Sequence, residues 1–382
     1  MTAVAIVAAR RTPQGRFLGA LAKRSSVELA CAAGEPCVDV VGAGAIDQVI
    51  VGTVLAAAQG MNVARQVGVR LGVPITAPAF TVNMMCASGM QACLLAADAI
   101  RRGDAEVVLC GGAESMSNAP FALERARAGL GLGDAAFVDT ILRDGLVDSF
   151  AREHMGATAE RLATRYGLGR GEQDAFAVES QRRHAAATAA GRFADELAPI
   201  EGLQADEHPR PDTTLEKLAR LKPAFDPAGT VTAANSSGIN DGAAMLVLCA
   251  AETARRRGWA PLAVIEASAA VGCDPALMGL GPVHAVRALC GKLGVAPGDF
   301  DAVELNEAFA AQALACIREL GLATALTNPD GGAIAVGHPI GATGARLLVH
   351  AAHGIARGRA RRALATLCVG GGMGVAVALG SA

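Results

Sequence analysis

Aromatic side chains are nearly missing from this sequence: they account for 3% of 382 residues, with a single Trp and a single Tyr. A core built without them must bring backbones close over small side chains, as buried helices do against buried strands. Charge is scarce as well, at 18% of residues and a net −2. With 52% hydrophobic residues this excludes a disordered chain, and it excludes a generally basic surface for nucleic acid or anionic lipid. No apolar run approaches the ~18 residues of a membrane span. The ten cysteines never take C-x-x-C spacing and lie in apolar surroundings such as Val108-Leu109-Cys110, which fits reduced thiols better than disulfides. No H-E-x-x-H or Walker sequence and no ligand-spaced histidines occur, so no metal is expected. His184, His284, His350 and His353 read as surface or packing residues. Met1 to Arg11 reads as a strand running into Arg10-Arg11, the reverse of a signal peptide's charge order. The last residues, Leu379 to Ala382, carry no retention or peroxisomal address. A cytoplasmic protein is the expectation.

What is present is alternation. Val- and Ile-rich runs (Val4–Ala9, Gln48–Val54, Glu106–Cys110, Ala263–Ala267, Ala302–Leu305, Ala363–Cys368, Val375–Leu379) alternate with Ala-rich helical stretches such as Gly89–Arg102 and Gly344–Ile355. This predicts βαβ units around buried sheets. The two ends also echo each other. Ala45-Ile46-Asp47-Gln48-Val49 resembles Asp299-Phe300-Asp301-Ala302-Val303, offset by 254. Cys86-Ala87-Ser88-Gly89 resembles Gly341-Ala342-Thr343-Gly344, offset by 255, and Val107 to Cys110 resembles Ala365 to Cys368, offset by 258. A duplicated α/β unit is the simplest account. The N-terminal half is then residues 1–255, with an inserted loop domain at about 116–240, and the C-terminal half is 261–382. The insert is richer in charge, Pro and turns (His208-Pro209-Arg210-Pro211-Asp212), and is expected across the mouth of a site.

Four places can carry chemistry. Cys86 opens a turn of small residues where a strand should hand over to a helix; the helix N-terminus favours a thiolate there, although a buried core cysteine reads equally well. His338, between Gly337 and Pro339, is placed to deprotonate a thiol or polarise a carbonyl, or else is an ordinary turn histidine. Cys368 ends a strand before Val369-Gly370-Gly371-Gly372-Met373-Gly374, whose amides suit an oxyanion hole or merely a β-turn; the spacing is not a dinucleotide fingerprint. Asn306-Glu307-Ala308-Phe309 follows a buried strand, where open α/β sheets bind ligands, unless Asn306 only caps a helix.

Taken together, these pieces resemble the thiolase family over essentially the whole chain. N-x-x-C-x-S-G (Asn83 to Gly89), N-E-A-F (306–309), G-G-A-I-A-x-G-H-P-x-G-A-T-G (331–344) and C-x-G-G-G-M-G (368–374) occur in the family's order, joined by Glu153-His154-Met155-Gly156 and the run from Ala234 to Gly242. The resemblance implies a five-layered αβαβα fold from two duplicated halves with an inserted loop domain. It implies an acyl-CoA C-acyltransferase, acetyl-CoA C-acetyltransferase foremost, running a reversible Claisen condensation through an acyl-cysteine with ping-pong kinetics. By the same resemblance Cys86 is the acylated nucleophile, His338 activates it, and Cys368 moves the C2 proton. The amides of Cys86 and Gly370 form one oxyanion hole; Asn306, through a held water, joins His338 in the other. Ser237 and Gly238 would line the pantetheine arm. His154, Met155, Phe225, Met278 and Phe309 would wall the acyl site, and Arg210, Lys217 and Arg220 would meet the nucleotide phosphates. Coenzyme A thioesters are then substrates and no cofactor is implied; a homodimer or homotetramer is, through an N-terminal edge strand and the 117–145 segment. A 3-ketoacyl synthase of the fatty-acid type would lack a second cysteine such as Cys368. A non-catalytic CoA- or lipid-binding relative would have lost one of Cys86, Asn306, His338 or Cys368, and all four stand.

Overall fold

The computed structural model describes residues 2–382. Nine strands carry the fold: β1 (Val4–Arg11), β2 (Gln48–Gly52), β3 (Ala79–Val82), β4 (Val107–Ser115), β5 (Asn240–Ala250), β6 (Ala263–Gly272), β7 (Ala302–Leu305), β8 (Arg362–Val369) and β9 (Met373–Gly380). They hydrogen-bond in the order β7-β8-β9-β6-β1-β5-β4-β2-β3, with the two-residue strand Gly15–Arg16 beside β5. The principal helices are α1 (Ser26–Val41), α2 (Ser88–Arg102), α3 (Met155–Tyr166), α4 (Arg170–Ala189), α5 (Gly281–Leu293), α6 (Ala310–Leu320) and α7 (Ile340–Ala356).

The order contains the duplication. Residues β3-β2-β4-β5-β1 form one half-sheet, and β7-β8-β9-β6 repeats its last four places, with Thr327 bridging Val303 where a fifth strand would lie. The halves meet where β1 pairs with β6 over Val4 to Ile6. Register confirms the repeat: Val49 lies opposite Leu109 in β2–β4, and Val303 opposite Leu364 in β7–β8, offsets of 254 (303 less 49) and 255 (364 less 109). This corrects the third sequence match. Cys110 corresponds to Ala365, and Cys368 to Ala113, so the two cysteines fell into line by coincidence.

Side-chain alternation then sorts each strand between two cores. Val108 and Cys110 of β4, with Ala363, Ala365 and Leu367 of β8, face a central core filled by α2 and α7. Val107 and Leu109 face the other way, onto α1 and the helix Val63–Arg70. Leu364, Ala376 and Ala378 likewise face α5 and α6. Helix, sheet, helix pair, sheet and helix make five layers. The central pair shows why the core is small-residue: a Cβ on Gly89 would sit 2.8 Å from Gly341 O and 3.0 Å from Ala345 Cβ, and one on Gly344 would sit 2.7 Å from Met90 Cβ.

Sequence reading missed two strands. β3 delivers the chain to Cys86. β5, eleven residues long, lies between β1 and β4 in the middle of the first half-sheet and has its counterpart in β9 of the second. The histidine reading also needs correction. Arg11 bonds Glu196 (2.6 Å) and Asp206 (2.7 Å), His184 reaches Asp206 (3.3 Å), and His350 of α7 bonds Glu196 (2.7 Å) and lies 3.3 Å from Asp330. These buried charges pin the insert to β1 and α7. Burial opposes a charge on His350, but Glu196, Glu304 and Asp330 outweigh it and raise the imidazole to about 10. No helix among the described residues is long and apolar enough to cross a membrane.

Candidate active site

Cys86 rides a strained turn. After β3, Met85 takes a left-handed backbone (φ 48°), a conformation an ordinary side chain keeps only when its surroundings insist. Asn83 Oδ1 accepts the Met85 N–H (2.9 Å); Ser88 Oγ accepts the Met84 N–H (2.9 Å) and donates to Met85 O (2.7 Å). The thiol is thereby held above the start of α2, where the backbone amides of Gly370 and of Cys86 itself favour charge on sulfur. The expected thiolate does not follow. Helix α2 begins only at Ser88, and burial pushes the thiol up to about 11 despite those two donors, with Glu114 adding to the shift. Burial thus favours the protonated thiol at rest.

His338 enters from the other half. Its backbone N–H donates to Asn240 Oδ1 (3.0 Å), and Nδ1 lies 2.7 Å from Thr343 Oγ1. Gly337 ahead of it is required: φ is 106°, and a Cβ would sit 2.5 Å from Asn240 Cγ. Burial, helped by the charge of Arg346, lowers the imidazole to about 3, so it is neutral. Cys368, at the end of β8, is 1% exposed and packs among Met155, Met278, Ala308 and Phe309. Burial, then the neighbouring Cys86, drive its thiol well above the usual range.

Cys86, His338, Cys368 and Gly370 open onto one cavity of about 470 Å³, between the halves and under the insert. Asn306 does not line this cavity; it is fully buried, with neither Oδ1 nor Nδ2 bonded to protein. It caps nothing, because the following helix α6 is entered through Phe309. An unpartnered amide in this position is suited to hold a water.

The remaining expectations divide. His154 caps α3, accepting the Gly156 N–H at Nδ1 (3.0 Å), and stacks on Phe225 at 4.6 Å; Phe225 meets Phe309 edge-on. These three line the cavity with Met155, Met278, Ser237 and Gly238, and Arg210 reaches its mouth. Lys217 lines only a neighbouring cavity of about 230 Å³ and is paired with Asp212 (2.6 Å). Arg220 is exposed, lines neither, and is not brought to the site.

Sequence reading overlooked Thr343, Asn240 and His208, the last of which joins the two cavities. It also overlooked Glu114. This fully buried carboxylate accepts from Thr53 Oγ1 and the amides of Val54, Leu55 and Gly341, tying the end of β2 to the start of α7 around Cys86. Burial raises it to about 7 against those four donors. A lone Glu inside the small, apolar run of β4 was the available signal.

A family model for the thiolase N-terminal domain matches residues 4–252, and one for the thiolase C-terminal domain matches 259–381. The acetyl-CoA acetyltransferase of Pseudomonas aeruginosa is 50% identical over 390 residues, covering 99% of both chains. The probable acetyl-CoA acetyltransferase of Escherichia coli is 46% identical, again over 99% of both. Human mitochondrial 3-ketoacyl-CoA thiolase, solved in complex with CoA, is similar with a TM-score of 0.97 at 41% identity, over 100% of this chain and 98% of that one. The Bacillus anthracis acetyl-CoA acetyltransferase is similar with a TM-score of 0.98 at 41% identity, over 100% and 99%.

Proposed function

The chain belongs to the thiolase family, and on that premise we propose that it is an acetyl-CoA C-acetyltransferase, joining two acetyl-CoA molecules into acetoacetyl-CoA and CoA and running in reverse by thiolysis. The observation that carries this reading is the convergence of two thiols, one neutral imidazole and the Gly370 backbone on a single cavity.

Acyl transfer comes first. His338 Nε2 takes the Cys86 proton as sulfur attacks the thioester carbonyl, and the amides of Cys86 and Gly370 receive the developing oxyanion. CoA leaves as a thiolate and takes the proton of Cys368; a thiolate departs readily, so this proton is a convenience rather than a requirement. The products are CoA, acetyl-Cys86, a Cys368 thiolate and a protonated His338. In the second half, Cys368 removes the C2 proton of a new acetyl-CoA. The charge forming on its thioester oxygen is met by His338 Nε2–H and the water held by Asn306. The carbon attacks acetyl-Cys86, and the released sulfur recovers the proton from His338. Moving protons only while substrate is bound suits a resting pair whose thiol and imidazole are both neutral.

The substrates are acyl-CoA thioesters, no cofactor takes part, and Arg210 with Arg16 at the mouth is the nearest positive charge for a phosphate. We assign the protein to the cytoplasm, in keeping with ten unbridged cysteines. A homo-oligomer is supported by the outer edge of β3, which no described strand pairs, and by exposed Phe121, Leu132 and Phe137 on the insert.

Mixing the protein with acetyl-CoA and following both intact mass and acetoacetyl-CoA absorbance tests the activity. One acetyl group on Cys86 together with acetoacetyl-CoA in solution is the expected result. A protein that neither takes up acetyl nor cleaves acetoacetyl-CoA with CoA is not this enzyme.

A further inference from the structure

The base of the proposed reaction can serve only if its free lone pair faces the cavity, and an imidazole has two nitrogens to choose between. We propose that Thr343 is the positioning residue that makes this choice, holding His338 as the Nδ1–H tautomer so that Nε2 is the acceptor at Cys86; the inference rests on the acyltransferase reading.

Thr343 Oγ1 lies 2.9 Å from Pro339 O and 2.7 Å from His338 Nδ1. A carbonyl oxygen cannot donate, so the only hydroxyl hydrogen belongs to the first contact. Toward His338 the hydroxyl has nothing left but a lone pair. Both contacts are hydrogen bonds only if Nδ1 carries the hydrogen; the other tautomer would draw the hydroxyl hydrogen to Nδ1 and leave Oγ1 facing the Pro339 carbonyl oxygen at 2.9 Å with no hydrogen between them. The imidazolium formed during acyl transfer keeps the same Nδ1–H bond, so the brace holds through the reaction. The Nδ1 contact itself is buried, His338 being 6% exposed.

The other repeat shows why the lone pair is available. Ser88 is the counterpart of Thr343 at the offset of 255, and its hydroxyl is fully occupied by backbone: it accepts the Met84 N–H and donates to Met85 O. The counterpart of Met84 is Pro339, which has no N–H to offer. The same hydroxyl position thus braces the nucleophile's turn in the first half and, relieved of one partner by proline, the imidazole in the second. Asn240 and Gly337 hold the His338 backbone, which leaves ring orientation and tautomer to Thr343.

Two substitutions separate tautomer control from packing. Thr343→Val keeps the shape and removes the acceptor, whereas Thr343→Ser keeps the acceptor and removes a methyl. The rate constant for acetylation of Cys86 by acetyl-CoA, read by quenched-flow mass spectrometry, is expected to fall about 100-fold in Thr343→Val at unchanged half-saturation, and to stay within about threefold in Thr343→Ser. Thr343→Val acetylating at the wild-type rate, or Thr343→Ser falling as far as Thr343→Val, overturns the proposal. Nitrogen chemical shifts of His338 in the wild-type protein decide the matter without any variant: a protonated Nδ1 supports it and a protonated Nε2 in the resting enzyme overturns it. A wild-type protein that takes up no acetyl group defeats the acyltransferase reading instead, and the nitrogen shifts still report the tautomer.

Discussion

The two halves hold the same scaffold and have divided the chemistry between them. Through the register offsets, Cys86 of the first half stands where the second has Gly341, and His338 of the second stands where the first has Asn83. Asn306 answers to Gly52, and Cys368 to Ala113. At each of these four positions one half carries a reactive group and the other a glycine, alanine or asparagine. Space is the physical reason. A Cβ on Gly52 would meet the Ser88 backbone at 2.2 Å, and one on Gly341 would meet Glu114 at 2.6 Å, so the silent half is silent where the nucleophile's own supports need the room. One half presents the sulfur; the other supplies the groups that move protons and receive charge.

If this division is real, losing a second-half group that serves only carbon–carbon bond formation should spare acetylation of Cys86. After the second sulfur, the largest such effect is expected at Asn306. Asn306→Ala removes the amide that holds the proposed water, and condensation should fall by about 10²–10³-fold, the usual cost of an oxyanion donor, with acetylation of Cys86 preserved. Equal loss in both steps would place Asn306 in acyl transfer and break the comparison. Next is stability at the helix crossing, where the halves are symmetric. Gly89→Ala and Gly344→Ala should each destabilise by about 1–3 kcal/mol through overpacking, measured by urea unfolding. A cost at one site and none at the other would show that the crossing is not a true two-fold. The mildest test concerns the resting thiol. With Cys86 pushed up to about 11, its thiolate fraction rises with pH throughout the neutral range. Alkylation of Cys86 by iodoacetamide, followed by peptide mass, should therefore accelerate about tenfold per unit between about pH 7 and 9. A plateau within that range would mean that the helix and its amides outweigh burial after all.

Much of the site could be read from the sequence because its reactive residues stand in short, glycine-marked segments: the turn at Cys86, the loop at His338, the strand end at Cys368. Residues that hold them were harder to see. Asn240 braces His338 from 98 positions away and Glu114 reaches Gly341 from 227 away, and no local pattern announces such a pair. Thr343 is only five residues from His338, but its role depends on which lone pair is free, which composition does not record. Strand β5 was hidden because Asn240–Ala250 follows a charged insert and its Ala-rich run suits a helix as well as a strand. The thiolate expectation failed for a different reason: local helix electrostatics were visible, and the burial that outweighs them was not. Likewise His184 and His350 look ordinary until the fold surrounds them with Glu196, Asp206 and Asp330.

The most direct test of the division of labour lies in the two sulfurs. In Cys368→Ala, intact mass after mixing with acetyl-CoA should still show one acetyl group on Cys86, because that step uses only the nucleophile, His338 and two amides. Acetoacetyl-CoA formation in the same sample should fall by at least the ~10²–10⁴-fold that a lost acid/base costs. Normal turnover by Cys368→Ala, or an acetyl group found on Cys368 in the wild-type enzyme, would contradict the account.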